Sequence, residues 1–423
     1  MSDTDDLVGR DARAVWHPFT QHATDDAPLA VVGAAGAELS LADGRVVIDA
    51  ISSWWSCLHG HGRPEITRAI AAQAARLDHV LFAGATHEPA VRVAERLLAI
   101  APKGLARVFF SDDGSTSVEV AAKMAVQFHA HRGESNRTTF VVLDGGYHGD
   151  TVGAMSLGDP EPFFRAFRPL LFPSRRVAID PRAVDAALAD LGVRAAGVVL
   201  EPLVQGAGGM RMHSAEFVRA VRDACTRHGV PLVLDEVMTG FGRTGSTFAC
   251  SQAGVTPDFL CVAKGLTGGM LPLAATLTTD AVFEAFWSND RARAFFHGHT
   301  FTANPIACAA AIASLDLMER ERTPERLASI GGRIEARLRS AALAPECAES
   351  LRRTGGIVAF DLVVRDGSAG YLADVGRRAR RVALDRGVLL RPLGNVVYAM
   401  PPACTTEAQC EAIAAAMIEI SRA

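Results

Sequence analysis

Lysine is the rare basic residue of this chain: of 43 basic residues, only Lys103, Lys123 and Lys264 are lysines. A lysine amine can lose its proton and attack a carbonyl group, whereas an arginine guanidinium stays protonated. Lys264 differs from the other two because it ends the apolar run that starts at Phe259 and precedes several glycines. Burial at a strand end favours the neutral amine. The sequence therefore predicts a nucleophile at Lys264, or alternatively a lysine that reaches solvent from a strand end.

Two carboxylates follow the apolar run 231–234 and precede a G-x-G-x-x-G pattern at Gly240, Gly242 and Gly245. In a dinucleotide-binding unit such glycines join a strand directly to a helix. Here five residues beginning with Asp235 intervene, and helical periodicity is absent after the glycines. A nucleotide-binding oxidoreductase is therefore the weaker interpretation. Asp235 would instead keep a heterocyclic nitrogen protonated, unless it only caps a turn.

A helical pattern begins at Gly114 directly after another apolar run. Free N–H groups at a helix start, the positive end of the helix dipole and the Ser115 hydroxyl suit a phosphate. An ordinary N-cap is the alternative interpretation. A phosphate anchor, a strand-end aspartate and a strand-end lysine are together the groups that pyridoxal 5'-phosphate requires.

Several further candidates lie in predicted loops. Tyr147, one of only three tyrosines, shares a glycine-rich segment with Asp150. The tyrosine ring would stack on a cofactor and the carboxylate would meet a substrate ammonium, or the pair would simply plug a turn. Thr300 offers a further phosphate contact. Arg391, at a predicted strand end, suits a carboxylate, with a solvent-exposed position as the alternative.

These candidates must be positioned by the elements around them. Short β-branched runs alternate with helical patterns such as 115–131 and 214–228, which predicts an α/β fold with a mainly parallel sheet. Ligands of such sheets lie at the carboxyl ends of the strands, where the polar candidates fall. We expect a large domain over 61–319 and a small α+β domain over 320–423, to which the N-terminal segment 1–60 contributes.

Composition excludes several classes of protein. A net charge of −4 gives no reason to expect a nucleic-acid partner, and no apolar run is long enough to span a membrane. The eight cysteines form no C-x-x-C pair, so we expect reduced thiols in the cytoplasm. Two His-Gly-His segments, at His59 and His297, lack a complete set of ligands at metal-binding spacing. We therefore expect no metal site.

Taken in order along the chain, nine motifs resemble those of class III pyridoxal-phosphate aminotransferases, and the resemblance covers nearly the whole sequence. The motifs are Trp16-H-P-F-T, Ser52-S-W-W, Asp112-D-G-S, Gly145-G-Y-H-G-D, Glu201-P-x-x-Q-G-A-G-G-M, Asp235-E-V-x-T-G-F-G-R-T-G, Ala263-K-G-L-T-G-G, His297-G-H-T-F-T-A-N-P and Arg391-P-L-G-N-V-V-Y-x-M-P-P.

The resemblance implies a fold-type I pyridoxal-phosphate transferase that works as a homodimer with its active site between the subunits. It implies that Lys264 is the Schiff-base lysine and proton shuttle, and that Asp235 pairs with the pyridine nitrogen. Gly114 and Ser115 would hold the phosphate. Tyr147 would stack on the ring and face the substrate.

The remaining implied roles concern the second subunit and the substrate. His299 and Thr300 would reach the phosphate from the neighbouring subunit. Trp54 and Gly298 would line the substrate channel, and Arg391 would bind the substrate carboxylate. Tyr398, Asp150 and Trp55 are further candidates for the same pocket.

Within this family, the paired tryptophans, the M-R-M segment after the glycine loop and the C-terminal motif resemble the branch that converts 8-amino-7-oxononanoate to 7,8-diaminononanoate in biotin biosynthesis. The usual amino donor of that branch is S-adenosylmethionine, and some members use lysine. Phe19 stands where the branch usually has tyrosine, and His299 replaces a frequent proline. Because a hydroxyl near the donor is lost, the sequence does not decide between S-adenosylmethionine and lysine as the amino donor. An ω-amino-acid transaminase, an aminomutase of the same family and a catalytically silent relative are the other interpretations.

Overall fold

The computed structural model describes residues 3–159, 161–341, 343, 347–364 and 369–422. Sixteen strands lie in these ranges, and their bounds in chain order are β1 Val31–Ala35, β2 Glu38–Leu41, β3 Val46–Asp49, β4 Leu105–Ser111, β5 Thr139–Leu143, β6 Arg175–Val177, β7 Ala195–Leu200, β8 Val204–Gln205, β9 Arg211–Met212, β10 Leu232–Asp235, β11 Phe259–Val262, β12 Ala274–Thr279, β13 Ala348–Thr354, β14 Ile357–Leu362, β15 Val388–Leu389 and β16 Val396–Ala399.

Fourteen α-helical segments connect and cover the strands in the described ranges. They are α1 Asp3–Ala14, α2 Ser52–Trp55, α3 Pro64–Arg76, α4 Glu88–Ile100, α5 Gly114–His131, α6 Val152–Ser156, α7 Pro181–Leu191, α8 Ala215–His228, α9 Ala249–Ala253, α10 Asp280–Phe286, α11 Pro305–Arg320, α12 Thr323–Ser340, α13 Val375–Asp385 and α14 Glu407–Ile420.

A seven-stranded sheet in the order β4-β12-β11-β10-β7-β5-β6 forms the centre of the molecule. The prediction of a mainly parallel sheet is confirmed, with β12 as the antiparallel strand. Both faces are buried: along β10, Leu232 and Leu234 belong to one hydrophobic cluster and Val233 to the other. This burial explains why the strands are continuous apolar runs rather than alternating ones.

Local sequence signals set the ends of the helices. The Ser214 side chain accepts a hydrogen bond from the Phe217 N–H and caps the start of α8, and Gly229 ends the helix in the left-handed conformation. The sequence predicted both ends. At α5, the Asp113 carboxylate accepts a hydrogen bond from the Thr116 N–H, which leaves the earlier N–H groups free to face a ligand.

Two smaller sheets involve the ends of the chain. β15 pairs with β3, so that the N-terminal strands β1 to β3 form one sheet with a C-terminal strand, and β13, β14 and β16 form the other. This pairing agrees with an N-terminal segment that contributes to a C-terminal α+β unit. The boundaries at 60 and 319 stay predictions. Among the described residues, no helix combines the length and apolar character needed to cross a membrane.

Candidate active site

A cavity of about 550 Å³ opens at the carboxyl edge of the central sheet. Because β5, β7, β10 and β11 run parallel, the residues that follow them meet at this edge. Six of the predicted site residues line the cavity: Trp55, Gly114, Ser115, Tyr147, Asp235 and Lys264.

Lys264 follows β11 in a strained backbone conformation, with φ of +43°. Its Nζ lies 5.1 Å from the centroid of the Trp55 ring. Burial lowers the pKa of the Lys264 amine, although the negative charges of Asp235 and Glu201 act in the opposite direction. The surroundings therefore favour the neutral, nucleophilic amine that the sequence predicted.

Asp235 ends β10 and is 5% exposed. Its Oδ2 lies 2.7 Å from His148 Nδ1, and its Oδ1 accepts a hydrogen bond from the Val237 N–H. Burial alone would lower the pKa of His148, but the hydrogen bond and the charge of Asp235 raise it. An imidazolium that stabilises the aspartate anion suits a carboxylate that must stay ionised beside a cationic ring nitrogen.

Glu201, directly after β7, is a buried carboxyl group in the same cavity. The N–H groups of Tyr147 and Gly206 donate to its two oxygens at 3.1 and 2.7 Å. Burial raises the pKa of Glu201 to about 7, and the neighbouring charge of Asp235 adds to this effect. The cavity therefore holds a second proton-exchanging group near the amine.

The start of α5 forms a tight cradle in the wall of the same cavity. A Cβ atom added to Gly114 would lie 2.5 Å from Val237 Cγ1, and one added to Gly149 would overlap the Ser115 hydroxyl. Gly149 also has φ of +122°, which a side chain disfavours. Close backbone approach and free N–H groups are the properties that a phosphate group needs here.

Tyr147 is enclosed by aromatic rings at the cavity wall. Its ring is nearly parallel to that of Phe164, with 6.1 Å between the centroids, and Phe163 contacts it edge-on. Burial and the adjacent charge of Asp150 raise the pKa of Tyr147, and burial also raises that of Asp150. The Asp150 side chain forms a hydrogen bond with Tyr147 but does not line the cavity.

A second cavity of about 550 Å³ contains Arg391, Trp54 and Phe19. The guanidinium carbon of Arg391 lies 4.5 Å from the centroid of Trp54 and 5.9 Å from that of Phe19. The Tyr371 hydroxyl accepts a hydrogen bond from Arg391 Nη2 at 3.3 Å. This cation surrounded by aromatic rings suits a ligand with an apolar chain and a terminal carboxylate.

The paired tryptophans connect the two cavities, because Trp54 lines the second and Trp55 the first. Their turn is strained: Ser52, Ser53 and Trp55 all have positive φ. Trp55 Nε1 donates to the buried Tyr398 hydroxyl at 2.9 Å, and burial raises the pKa of Tyr398 to about 12. The structure places Tyr398 behind Trp55, outside the lining of both cavities.

The structure does not bring Gly298, His299 and Thr300 into the cavity of their own chain. His299 Nε2 lies 3.8 Å from Asp112 Oδ1, at the entrance to the helix cradle, and makes no hydrogen bond with any described residue. Thr300 is exposed in the same loop. These three residues are therefore separate from the lining of the Lys264 cavity.

Four residues of the site were not predicted from the sequence. His148 directly follows Tyr147 in the motif Gly145-G-Y-H-G-D, and this neighbouring position was the available signal. Glu201 was visible as a strand-end carboxylate but received no role. Phe163 and Tyr371, whose ring centroids lie 4.5 Å apart, come from distant parts of the chain and gave no local signal.

Comparison with known proteins agrees with this geometry. The family model for class III aminotransferases matches residues 19–420. The chain therefore belongs to the class III aminotransferases, which are pyridoxal-phosphate-dependent enzymes. The cradle at Gly114, the ionised partner at Asp235 and the amine of Lys264 fit the phosphate, ring nitrogen and aldehyde of that cofactor.

The relatives define the branch of the family. The chain is 47% identical to the adenosylmethionine-8-amino-7-oxononanoate aminotransferase of Synechococcus elongatus, over 96% of this chain and 98% of the relative. The enzyme of the same name from Mycobacterium leprae is 42% identical over 97% and 95% of the two chains.

Solved structures support the same assignment. The crystal structure of adenosylmethionine-8-amino-7-oxononanoate aminotransferase from Methanocaldococcus jannaschii superposes with a TM-score of 0.94, at 35% identity and 99% coverage of both chains. A pyridoxal-phosphate-bound amine transaminase from an uncultivated Pseudomonas species superposes with a TM-score of 0.89, at 33% identity, over 96% of this chain and 98% of that chain.

Proposed function

We propose that this enzyme converts 8-amino-7-oxononanoate to 7,8-diaminononanoate in biotin biosynthesis, with S-adenosylmethionine as the amino donor. The observation that carries the proposal is the position of Arg391 in an aromatic cavity next to the cavity of Lys264. The acceptor has its carboxylate and its reacting carbonyl at opposite ends of an apolar chain. A distant guanidinium and an aromatic channel match those two properties.

The cofactor, when bound, supplies the carbonyl that carries the amino group between substrates and the ring that stabilises negative charge during the transfer. The Ser115 hydroxyl and the N–H groups at the start of α5 would hold its phosphate. Asp235, held by His148, would keep the ring nitrogen protonated. Tyr147 would pack on the ring and exclude water.

With the cofactor bound, Lys264 would hold its aldehyde, and the Lys264 amine would take a proton from the substrate and return it. Its lowered pKa leaves a fraction of the amine neutral, and a neutral amine is the form that accepts a proton. The Trp55 ring, 5.1 Å from Nζ, limits the directions that the amine can take. The amino group then passes from donor to acceptor in two half-reactions at the same site. The product of the first half-reaction leaves before the acceptor binds.

The choice of donor depends on the wall that Phe19 forms. Its ring contacts Trp54 edge-on, with 5.7 Å between the centroids, and contributes no hydroxyl to the donor. S-adenosylmethionine must therefore bind through other polar groups of the second cavity, such as Asp11 and Thr20. Lysine is the alternative donor, and it would need fewer of these contacts.

The enzyme works as a homodimer in our proposal, with Gly298, His299 and Thr300 completing the site of the other subunit. In support, Phe296 and Phe301 beside them are 77% and 59% exposed, which is unusual for large apolar side chains. A second copy would cover them and carry the loop to a neighbouring phosphate cradle. We also place the enzyme in the cytoplasm, where its eight free cysteines would stay reduced.

A subunit-mixing experiment tests the shared site. Lys264→Ala and Thr300→Glu chains are each expected to be inactive, because the first lacks the amine and the second repels the phosphate. A mixed dimer with a shared site has one site carrying both changes and one site carrying neither, so mixing the two chains should restore activity. Light scattering checks that Thr300→Glu still dimerises. Absence of restored activity in mixed dimers would reject the shared site.

The donor is tested by single half-reactions. The visible absorption of the loaded enzyme should change when S-adenosylmethionine is added without acceptor. A change with lysine alone would assign the enzyme to the lysine users, and a change with neither would reject both donors.

A further inference from the structure

Three side chains outside the two cavities form a continuous hydrogen-bonded chain. Cys57 Sγ lies 3.8 Å from His61 Nδ1, and His61 Nε2 lies 2.8 Å from Asp49 Oδ2. Asp49 has no exposed surface, while Cys57 and His61 are partly exposed. A thiol, an imidazole and a buried carboxylate in this order are the arrangement that activates a cysteine for nucleophilic attack.

Two basic side chains, His61 and Arg243, lie close to Cys57. The hydrogen bond with Asp49 is the main cause that raises the pKa of His61 to about 10, so the ring next to the sulfur carries a positive charge at neutral pH. A second cation lies nearby: Arg243 is 1% exposed, interacts electrostatically with Cys57 and Asp49, and has an Nε with no hydrogen-bond partner among the described residues. Two cations therefore face one buried carboxylate and one thiol.

The other cysteines differ from Cys57 in these respects. Five of the eight are buried, and the remaining partly exposed ones are Cys347 and Cys404. Burial raises the pKa of Cys404, which disfavours its thiolate. No hydrogen bond from either sulfur to a histidine is found within the described part of the chain. Cys347 and Cys404 are therefore natural internal controls.

We propose that Cys57 is a modification site: a nucleophilic thiol, paired with His61 and Asp49, that reacts with small electrophiles and peroxides. With hydrogen peroxide, the Cys57 thiolate attacks one oxygen, an S–O bond forms and the O–O bond breaks. Sulfur is oxidised by two electrons to a sulfenic acid, and the other oxygen leaves as hydroxide, which takes a proton from the His61 imidazolium and becomes water.

Modification of Cys57 would reach the catalytic cavity through two contacts. Asp49 also accepts hydrogen bonds from the N–H and hydroxyl groups of Ser53, at 2.8 and 3.0 Å, and so holds the strained turn of the paired tryptophans. On its other side, the backbone of Cys57 packs so closely on Gly269 that a Cβ there would lie 2.8 Å from the Cys57 nitrogen. An added oxygen at the sulfur would therefore displace groups beside Lys264, and turnover would fall.

The loss of turnover rests on the proposed function, whereas the reactivity of Cys57 does not. The first test labels the loaded enzyme with limiting iodoacetamide at neutral pH and measures each cysteine peptide by mass spectrometry. We expect Cys57 to react at least about tenfold faster than Cys347 and Cys404, because the thiolate is the reactive form. In His61→Gln the Cys57 rate should fall toward that of Cys347. Equal rates at the three positions, or no effect of His61→Gln, would overturn the proposal.

The second test treats the wild-type enzyme, without any substitution, with hydrogen peroxide. Wild-type enzyme treated with hydrogen peroxide and dimedone should gain the dimedone adduct at Cys57 and lose activity. Cys57→Ser should be active and should keep its activity under the same treatment, whereas Cys347→Ser should behave like the wild type. Equal inactivation of wild type and Cys57→Ser would overturn the link to turnover, and absence of an adduct on Cys57 would overturn the modification site itself.

Discussion

His148 Nδ1 lies 2.7 Å from Asp235 Oδ2, and both side chains are buried at the carboxyl edge of the central sheet. The histidine comes from the loop after β5 and the aspartate from the end of β10, so the pair forms only when the sheet is assembled. The raised pKa of His148 makes this contact charge-assisted. The pair fixes the position of a carboxylate that lines the cavity of Lys264.

Removing the histidine should weaken the hold on the cofactor. We expect His148→Ala to lower both the affinity for pyridoxal phosphate and kcat by about tenfold or more, since a hydrogen bond to a charged group contributes roughly 1.5–3 kcal/mol. His148→Asn keeps an N–H donor near the carboxylate and should recover part of the loss. Cofactor titration by fluorescence and steady-state kinetics measure the two effects. An affinity equal to that of the wild type in His148→Ala would contradict the role of the pair.

Arg391 should matter for the acceptor and not for the donor. Arg391→Ala is expected to raise KM for 8-amino-7-oxononanoate by about thirtyfold or more, because a charge-assisted contact to the carboxylate contributes roughly 2 kcal/mol. The KM of Arg391→Lys should lie between those of the wild type and Arg391→Ala, because lysine keeps the positive charge but lacks the planar guanidinium. The half-reaction with the donor serves as the control. Equal loss in both half-reactions would show that Arg391 does not select the acceptor.

Gly149 tests the tightness of the phosphate cradle. In Gly149→Ala the new Cβ would overlap Ser115, so the cradle must open and phosphate binding should weaken strongly. The control is Gly133→Ala, since Gly133 also has positive φ, of +83°, but no atom within 4 Å of an added Cβ. Gly133→Ala should lose only about 1 kcal/mol of stability, because a residue with a side chain disfavours positive φ, and should keep its affinity for the cofactor. If both variants keep the same affinity for the cofactor, the cradle does not bind the phosphate.

The His61–Asp49 pair should make stability depend on alkaline pH. The folded pKa of His61 is about 10, above its ordinary value of 6.5. The folded protein therefore binds the proton more tightly, and this contribution is complete below pH 6.5 and is lost as pH rises to 10. After allowance for solvent screening, we expect the unfolding free energy to fall by about 2 kcal/mol over this range.

The variant His61→Gln provides the comparison for that pH dependence. Its thermal midpoint should be lower than that of the wild type near pH 6.5 and should change less between pH 6.5 and 10, the interval that the raised pKa of His61 defines. Both proteins are measured at one protein concentration, because the thermal midpoint of the proposed homodimer would depend on concentration. Parallel curves for the two proteins would contradict a charged His61 in the folded state.

The features predicted from sequence are those that neighbouring residues decide. Ser214 and Gly229 set the ends of α8, and apolar runs ending in Asp235 and Lys264 placed both groups at one sheet edge. Contacts between distant segments were not predictable. The strained turn at Trp55 opposes local preference and exists because Asp49 and Tyr398 hold it.

The central claim is that this chain aminates 8-amino-7-oxononanoate by means of Lys264. The direct measurement is detection of 7,8-diaminononanoate by mass spectrometry after the loaded enzyme is incubated with the acceptor and S-adenosylmethionine, with Lys264→Ala as the control. We predict product with the wild type and none with the variant. Absence of product with either S-adenosylmethionine or lysine as donor, or equal product from Lys264→Ala, would contradict the claim.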